Sequence, residues 1–321
     1  MSPDETLQLF YAALRITLPT FGWVMLGLVL HRVGLFPQWL NDRLSRFGFN
    51  VGLPLMLFAG AALVDYSNMA AARYLLAGIL ATLLMFGTSW FYTRWRGHPP
   101  REQGLFVQAA FRSNLAIVGV SLCVAAYGET GTALAAMPVA VLTVLYNILA
   151  VAVLDATLGA ATGMGALFRG VLKNPLIIGI SLGILLSVSP VPAPEFLGPV
   201  SRGLSAFFLP MVLICIGGSM NVGRLYRAGG ISWEASAWRL VIGPALGVCL
   251  ALAMGVQGAQ LGVLFLLLAT PVAASSHVMV AAARGDAVLA ANMIVLTTLL
   301  SIVTVTAGFF LLSLLGLVGY G

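Results

Sequence analysis

Apolar residues along this chain come in long blocks, not in the short alternation of strands or the single stripe of a half-buried helix. Ten blocks reach the length of roughly 17–25 residues that a helix needs to cross a bilayer. They lie at 8–30, 47–64, 74–95, 104–127, 132–155, 174–190, 198–218, 236–256, 259–283 and 288–317. Gly and Pro inside them fit helices, which satisfy their backbone groups within the segment. The alternating segments of about ten residues that mark a membrane β-barrel do not occur.

Composition fixes the solvent. The 321 residues are 60% hydrophobic and 8% charged, against roughly 25% charged in a soluble domain. Such a chain cannot clothe a globular surface, so its partner is the lipid bilayer and its class is an all-α polytopic membrane protein. Cys123, Cys215 and Cys249 lie in apolar runs without metal or redox spacing and read as buried hydrophobes. The start, "MSPDETLQLF", carries acids and no basic segment, so it is not read as a cleaved signal peptide.

The net charge of +6 matters less than where the cations sit; no nucleic-acid partner is implied. One set of alternate loops holds Arg32, Arg43, Arg46, Arg94, Arg96, Arg101, Arg169, Lys173, Arg224, Arg227, Arg239 and Arg284, whereas the other holds only Arg73 and Arg202. The positive-inside bias places both termini outside the cytoplasm. Trp90, Tyr92 and Trp95, beside Arg94 and Arg96, read as an interfacial belt.

The Gly/Ala-rich linker at 158–173 divides the chain into halves, 1–157 and 174–321, that resemble each other. "LGLVLHRVGLFPQWLNDRLSRFGFNVGLPLML" (26–57) lies over "LGILLSVSPVPAPEFLGPVSRGLSAFFLPMVL" (182–213) without a gap. Ser45/Ser201, Arg46/Arg202 and Pro54/Pro210 stay in register, and "VLT" recurs at 141–143 and 295–297. Five spans per copy turn the second copy over, so the expected fold is ten transmembrane helices in two inverted five-helix repeats, a signature of secondary transporters.

Polar residues interrupt the fourth and ninth spans. The fourth carries Arg112, Ser113 and Asn114 in "FRSNLAIVG". At 1.5 Å per residue, Arg112 lies about 12 Å and Asn114 about 15 Å from Gly104, halfway through a core about 30 Å thick. Arginine there costs about 2.5–3.5 kcal/mol on insertion scales, so it faces a cavity or a partner. The alternatives are a structural bond to neighbouring carbonyls or snorkelling to the interface. The ninth span carries Pro271, Ser275, Ser276 and His277 in "ATPVAASSHVMVAAA". Pro271 breaks or kinks that helix.

Two broken helices meeting near the membrane centre expose free N–H and C=O groups that suit anions and cations. His277 fits a structural histidine as well as a proton carrier. Asn147, in the fifth span, fits the cavity wall or a helix–helix bond. Pro54, Pro210 and Pro244 read as kinks, and Gly27, Gly183, Gly217 and Gly218 as close-packing points. No metal-ligand cluster, ATP-binding loop or nucleophile–base pair appears, and the acids Asp155, Glu234 and Asp286 lie near span ends. These patterns disfavour an enzyme, an ATP-driven pump and a carboxylate-based proton antiporter.

The stretches "LGLVLHRVGLFP", "RSNLAIVGVSL", "YNILAVAVL", "KNPLIIGISLGILL" and "ATPVAASSHVMVAA" resemble the auxin efflux carrier family, in particular its bacterial malonate-type permeases. The resemblance implies that helices 4 and 9 cross, with Asn114 and Pro271 at the family's crossover positions. It also implies an elevator in which helices 3–5 and 8–10 move against a scaffold of helices 1, 2, 6 and 7, with a possible homodimer. Family members often place proline after the span-four glycine, whereas Gly119 is followed here by Val120 and Ser121. The expected function is secondary transport of a small organic anion across a bacterial inner membrane. Arg112, Ser113, Asn114, Asn147, Pro271, Ser275, Ser276 and His277 form its substrate site. The alternative is a sodium-coupled carrier of a bulkier amphipathic anion, as in bile-acid-type transporters. No cofactor is expected, and the coupling ion, H+ or Na+, is open.

Overall fold

A computed structural model describes residues 3–63, 70–159, 172–220 and 229–319, with the single residues 165, 169 and 223. Most of the linker at 158–173 lies outside them, as do Arg224 and Arg227.

The described chain is helical. In order it forms α1 (Pro3–Arg32), α2 (Gln38–Phe47), α3 (Leu53–Ala62), α4 (Ala70–Trp95), α5 (Pro100–Phe111), α6 (Val120–Leu158), α7 (Pro175–Val188), α8 (Leu197–Gly218), α9 (Gly230–Ala237), α10 (Gly243–Ala253), α11 (Gly258–Leu268), α12 (Ser275–Ala282) and α13 (Ala287–Leu314). Seven described segments are long and apolar enough to cross a membrane, fewer than the ten runs in the sequence. The physical reasons are specific. The fourth run is broken after Phe111, and its second half continues into the fifth through Gly128, which takes a left-handed φ of 57°. The sixth is a helix of 14 residues, and the ninth is divided after Leu268.

Proline shapes two joints. Wide turns at Gly48–Gly52 and Trp238–Ile242 precede Pro54 and Pro244, and there the N–H of Leu53 reaches Gly48 and that of Gly243 reaches Trp238. A proline ring displaces the carbonyl four residues back, so the ladder slips to the next acceptor. Pro210, by contrast, sits inside continuous α8.

Side-chain burial separates inner from outer helices. Every residue from Gly104 to Phe111 in α5 and from Leu261 to Leu268 in α11 is buried. Helices apolar on all faces belong in the middle of a bundle. Outside, Phe91, Trp95, Val303 and Phe207 are largely exposed; apolar surface on that scale needs lipid against it. Cys249, expected to be buried, also faces outward, whereas Cys123 and Cys215 are buried. Helices α1 and α8 meet at Gly27 and Gly217, where an added Cβ would strike the Ile214 and Val24 backbones. The molecule is a multi-pass membrane protein.

Candidate functional site

The two interruptions satisfy one another. After α5, Arg112 turns extended (φ −85°, ψ 93°), and Ser113 pairs with Val272 in an isolated antiparallel bridge. The Asn114 N–H donates to the Pro271 carbonyl at 2.9 Å, and the Ala273 N–H donates to the Arg112 carbonyl at 3.1 Å. The Val272 N–H donates to Thr297 Oγ1 on α13 at 3.1 Å. Unwound backbone survives in a membrane protein only where such groups are paired inside it. The departure at Val120 and Ser121 therefore does not abolish the break: an extended partner strand holds it open in place of a second proline.

Arg112 is 6% exposed. Its Nη2 donates to Asn147 Oδ1 at 2.9 Å and to Ser275 Oγ at 3.1 Å, while Nε and Nη1 are buried with no partner. The Tyr146 hydroxyl donates to Ser113 Oγ at 3.3 Å. Ion pairs among the described residues join Arg96 and His98 to Glu234 and Arg202 to Glu129; none reaches Arg112. Buried charge is normally paired. This guanidinium instead meets neutral oxygens and the first residue of α12, the positive end of that helix.

A cavity of about 900 Å³ lies beside this point. Its walls include His31, Arg46 and Asn50 on one side and Ser275, His277 and Ile294 on the other. Of the eight residues expected to form the site, only Ser275 and His277 line it. Arg112, Ser113, Asn114 and Ser276 are buried, as is Pro271, and Asn147 is half-buried. Arg112, expected to face a cavity or a partner, meets partners and does not itself line the cavity: the guanidinium bonds Ser275, which does.

Arg239 was expected among the loop cations. It is 1% exposed. Its Nη1 donates to the Ala110 carbonyl at 3.0 Å and its Nη2 to the Leu268 carbonyl, so one side chain touches the C-terminal ends of both interrupted helices. The signal was its position inside the eighth apolar run, five residues before Pro244. Thr297 was also missed, although it closes the repeated "VLT".

Residues 164–308 match the family described as membrane transport protein. That match marks the second half of the chain as similar to membrane transport proteins. A protein of Methanothermobacter thermautotrophicus described as an uncharacterized transporter is similar: it is 23% identical over 299 residues, covering 92% of this chain and 97% of its own length. Asn114 and Pro271, which the sequence resemblance singled out, are joined by the 2.9 Å backbone bond described above.

Proposed function

We propose that this carrier is a secondary transporter of a small organic anion, a carboxylate, across the inner membrane. The observation that carries the reading is Arg112, a buried guanidinium with two unpartnered N–H groups and no carboxylate beside it among the described residues. A carboxylate oxygen is a strong acceptor for either free nitrogen through a charge-assisted bond. Ser275, already bonded to Arg112 and exposed to the cavity, is where the anion arrives; Asn147 and Asn114 hydrogen-bond it, and Ser276, whose Oγ lacks a partner, supplies a further donor.

In this reading the ten apolar runs form two inverted repeats whose fourth and ninth helices cross. The cavity lies between expected scaffold segments, which supply His31, Arg46 and Val212, and expected mobile segments, which supply Ser275 and Ile294. That is the geometry an elevator needs, since substrate must reach the moving body along its contact with the fixed one. The mouth bearing Arg32 and Arg46 is cytoplasmic by the positive-inside rule, with both termini periplasmic. The positive field of that mouth draws anions inward. A homodimer through the scaffold helices fits the same plan.

The test is counterflow in proteoliposomes loaded with unlabelled malonate, acetate or benzoate and given the radiolabelled acid outside. Accumulation of label that disappears with Arg112→Ala supports the reading. Label that enters equally well with and without internal substrate would indicate a passive pore.

A further inference from the structure

Arg239 makes a contact that no anion site requires. The last four carbonyls of a helix have no partner within it, and the aligned peptides leave about half a negative charge at that end. Ala110 and Leu268 are such carbonyls, one at the end of α5 and one at the end of α11. Their convergence makes a cation site; in carriers with discontinuous helices, half-helix C-termini and unwound carbonyls are where a coupling Na+ or H+ binds. Here both carbonyls accept from one guanidinium.

We propose that Arg239 is the built-in cation of this crossover, and that anion binding and movement therefore proceed without sodium. The inference deepens the anion-carrier reading and rests on it. The planar fork suits the task, because its two nitrogens reach carbonyls of two different helices at once. Its stem springs from the wide turn at Trp238–Ile242, and its burial keeps water from competing for the carbonyls. A tethered charge cannot dissociate on either side of the membrane, so it gives no ion coupling. It also adds a second positive charge to that of Arg112, with no carboxylate paired to either among the described residues. An incoming carboxylate then needs no co-bound cation. Arg239 is thus a positioning residue: it holds the two helix ends together and leaves the N-terminal end of α12 at Ser275 for the anion.

The experiment is thermal unfolding of the purified full chain in sodium chloride and in choline chloride at equal ionic strength, with and without malonate, acetate or benzoate. The expected result is one unfolding temperature in both salts and a carboxylate-induced rise of the same size in both. A rise that needs sodium, or a wild-type protein stabilised by sodium alone, overturns the inference and leaves the anion reading standing. Absence of a carboxylate-induced rise in either salt counts against the anion reading instead, and the sodium comparison without carboxylate still decides the inference. Arg239→Ala should unfold several degrees lower and recover part of the loss in millimolar guanidinium chloride, a rescue that wild type does not show. No rescue in a folded Arg239→Ala protein overturns the role assigned to this side chain. The wild-type comparison needs no variant, so a variant that fails to fold does not stall the test.

Discussion

The Asn114 N–H and the Pro271 carbonyl are 2.9 Å apart, although 157 positions separate them in the chain. That bond and its neighbour from Ala273 to Arg112 make two helix breaks into one short piece of sheet. Neither break is stable alone, since each would strand polar backbone in an apolar bundle. The joint is a property of both segments together.

Thr297 anchors the ninth break by accepting the Val272 N–H. Thr297→Val keeps the shape and removes the acceptor, which leaves a buried donor unsatisfied at a cost of about 1–3 kcal/mol. The apparent Tm should fall by several degrees, and Thr297→Ser should restore it. Equal Tm values for the valine variant and wild type would remove Thr297 from the joint.

The Arg202–Glu129 pair, 2.6 Å long, ties the kink at Gly128 to the start of α8 at the end expected to be periplasmic. Both side chains are largely exposed, so the pair contributes about 0.2–1 kcal/mol. On the proposed elevator, with the cavity mouth facing the cytoplasm, breaking it with Glu129→Gln should shift the resting balance away from this cavity-open form by no more than about fivefold. The readout is maleimide labelling of Ile294→Cys in the cavity wall from the cytoplasmic side, which should slow. Faster labelling would mean that the pair holds the opposite state.

Glu234 accepts from Tyr92, Arg96 and His98 at 3.0–3.1 Å and ties the end of α4 to α9. Its hydrogen bond and charge raise the already high pKa of Arg96. Glu234→Ala should lower the apparent Tm by a few degrees, because it leaves Tyr92, Arg96 and His98 without their shared acceptor. Carboxylate affinity should stay unchanged, because none of the cluster's residues lines the cavity that Ser275 faces; a parallel loss of affinity would show that it reaches the site.

Much of the site was legible because lipid is an unforgiving solvent. Arg112, Asn114 and Pro271 stood out as exceptions in apolar runs, and the structure brings their segments into contact. The close approach at Gly27 and Gly217 was likewise readable from small residues in long spans. Arg239 was not, because an arginine near the edge of an apolar run obeys the charge rule for loops as well as it caps two buried helix ends. Nor could the order of layers at Arg112 be read. A sequence places a residue at a depth, but only packing decides that Ser275, and not the guanidinium, meets the cavity.

The central claim is that the buried guanidinium of Arg112 takes a carboxylate. The most direct measurement is the thermal shift of purified wild type and Arg112→Ala with a carboxylate and with its neutral primary amide, for example benzoate against benzamide and malonate against malonamide. A charge-assisted pair contributes about 1.5–3 kcal/mol, so the acid should raise the wild-type Tm, the amide should not, and Arg112→Ala should lose the response to the acid. Equal shifts with acid and amide, or a full response to the acid in Arg112→Ala, would contradict the claim.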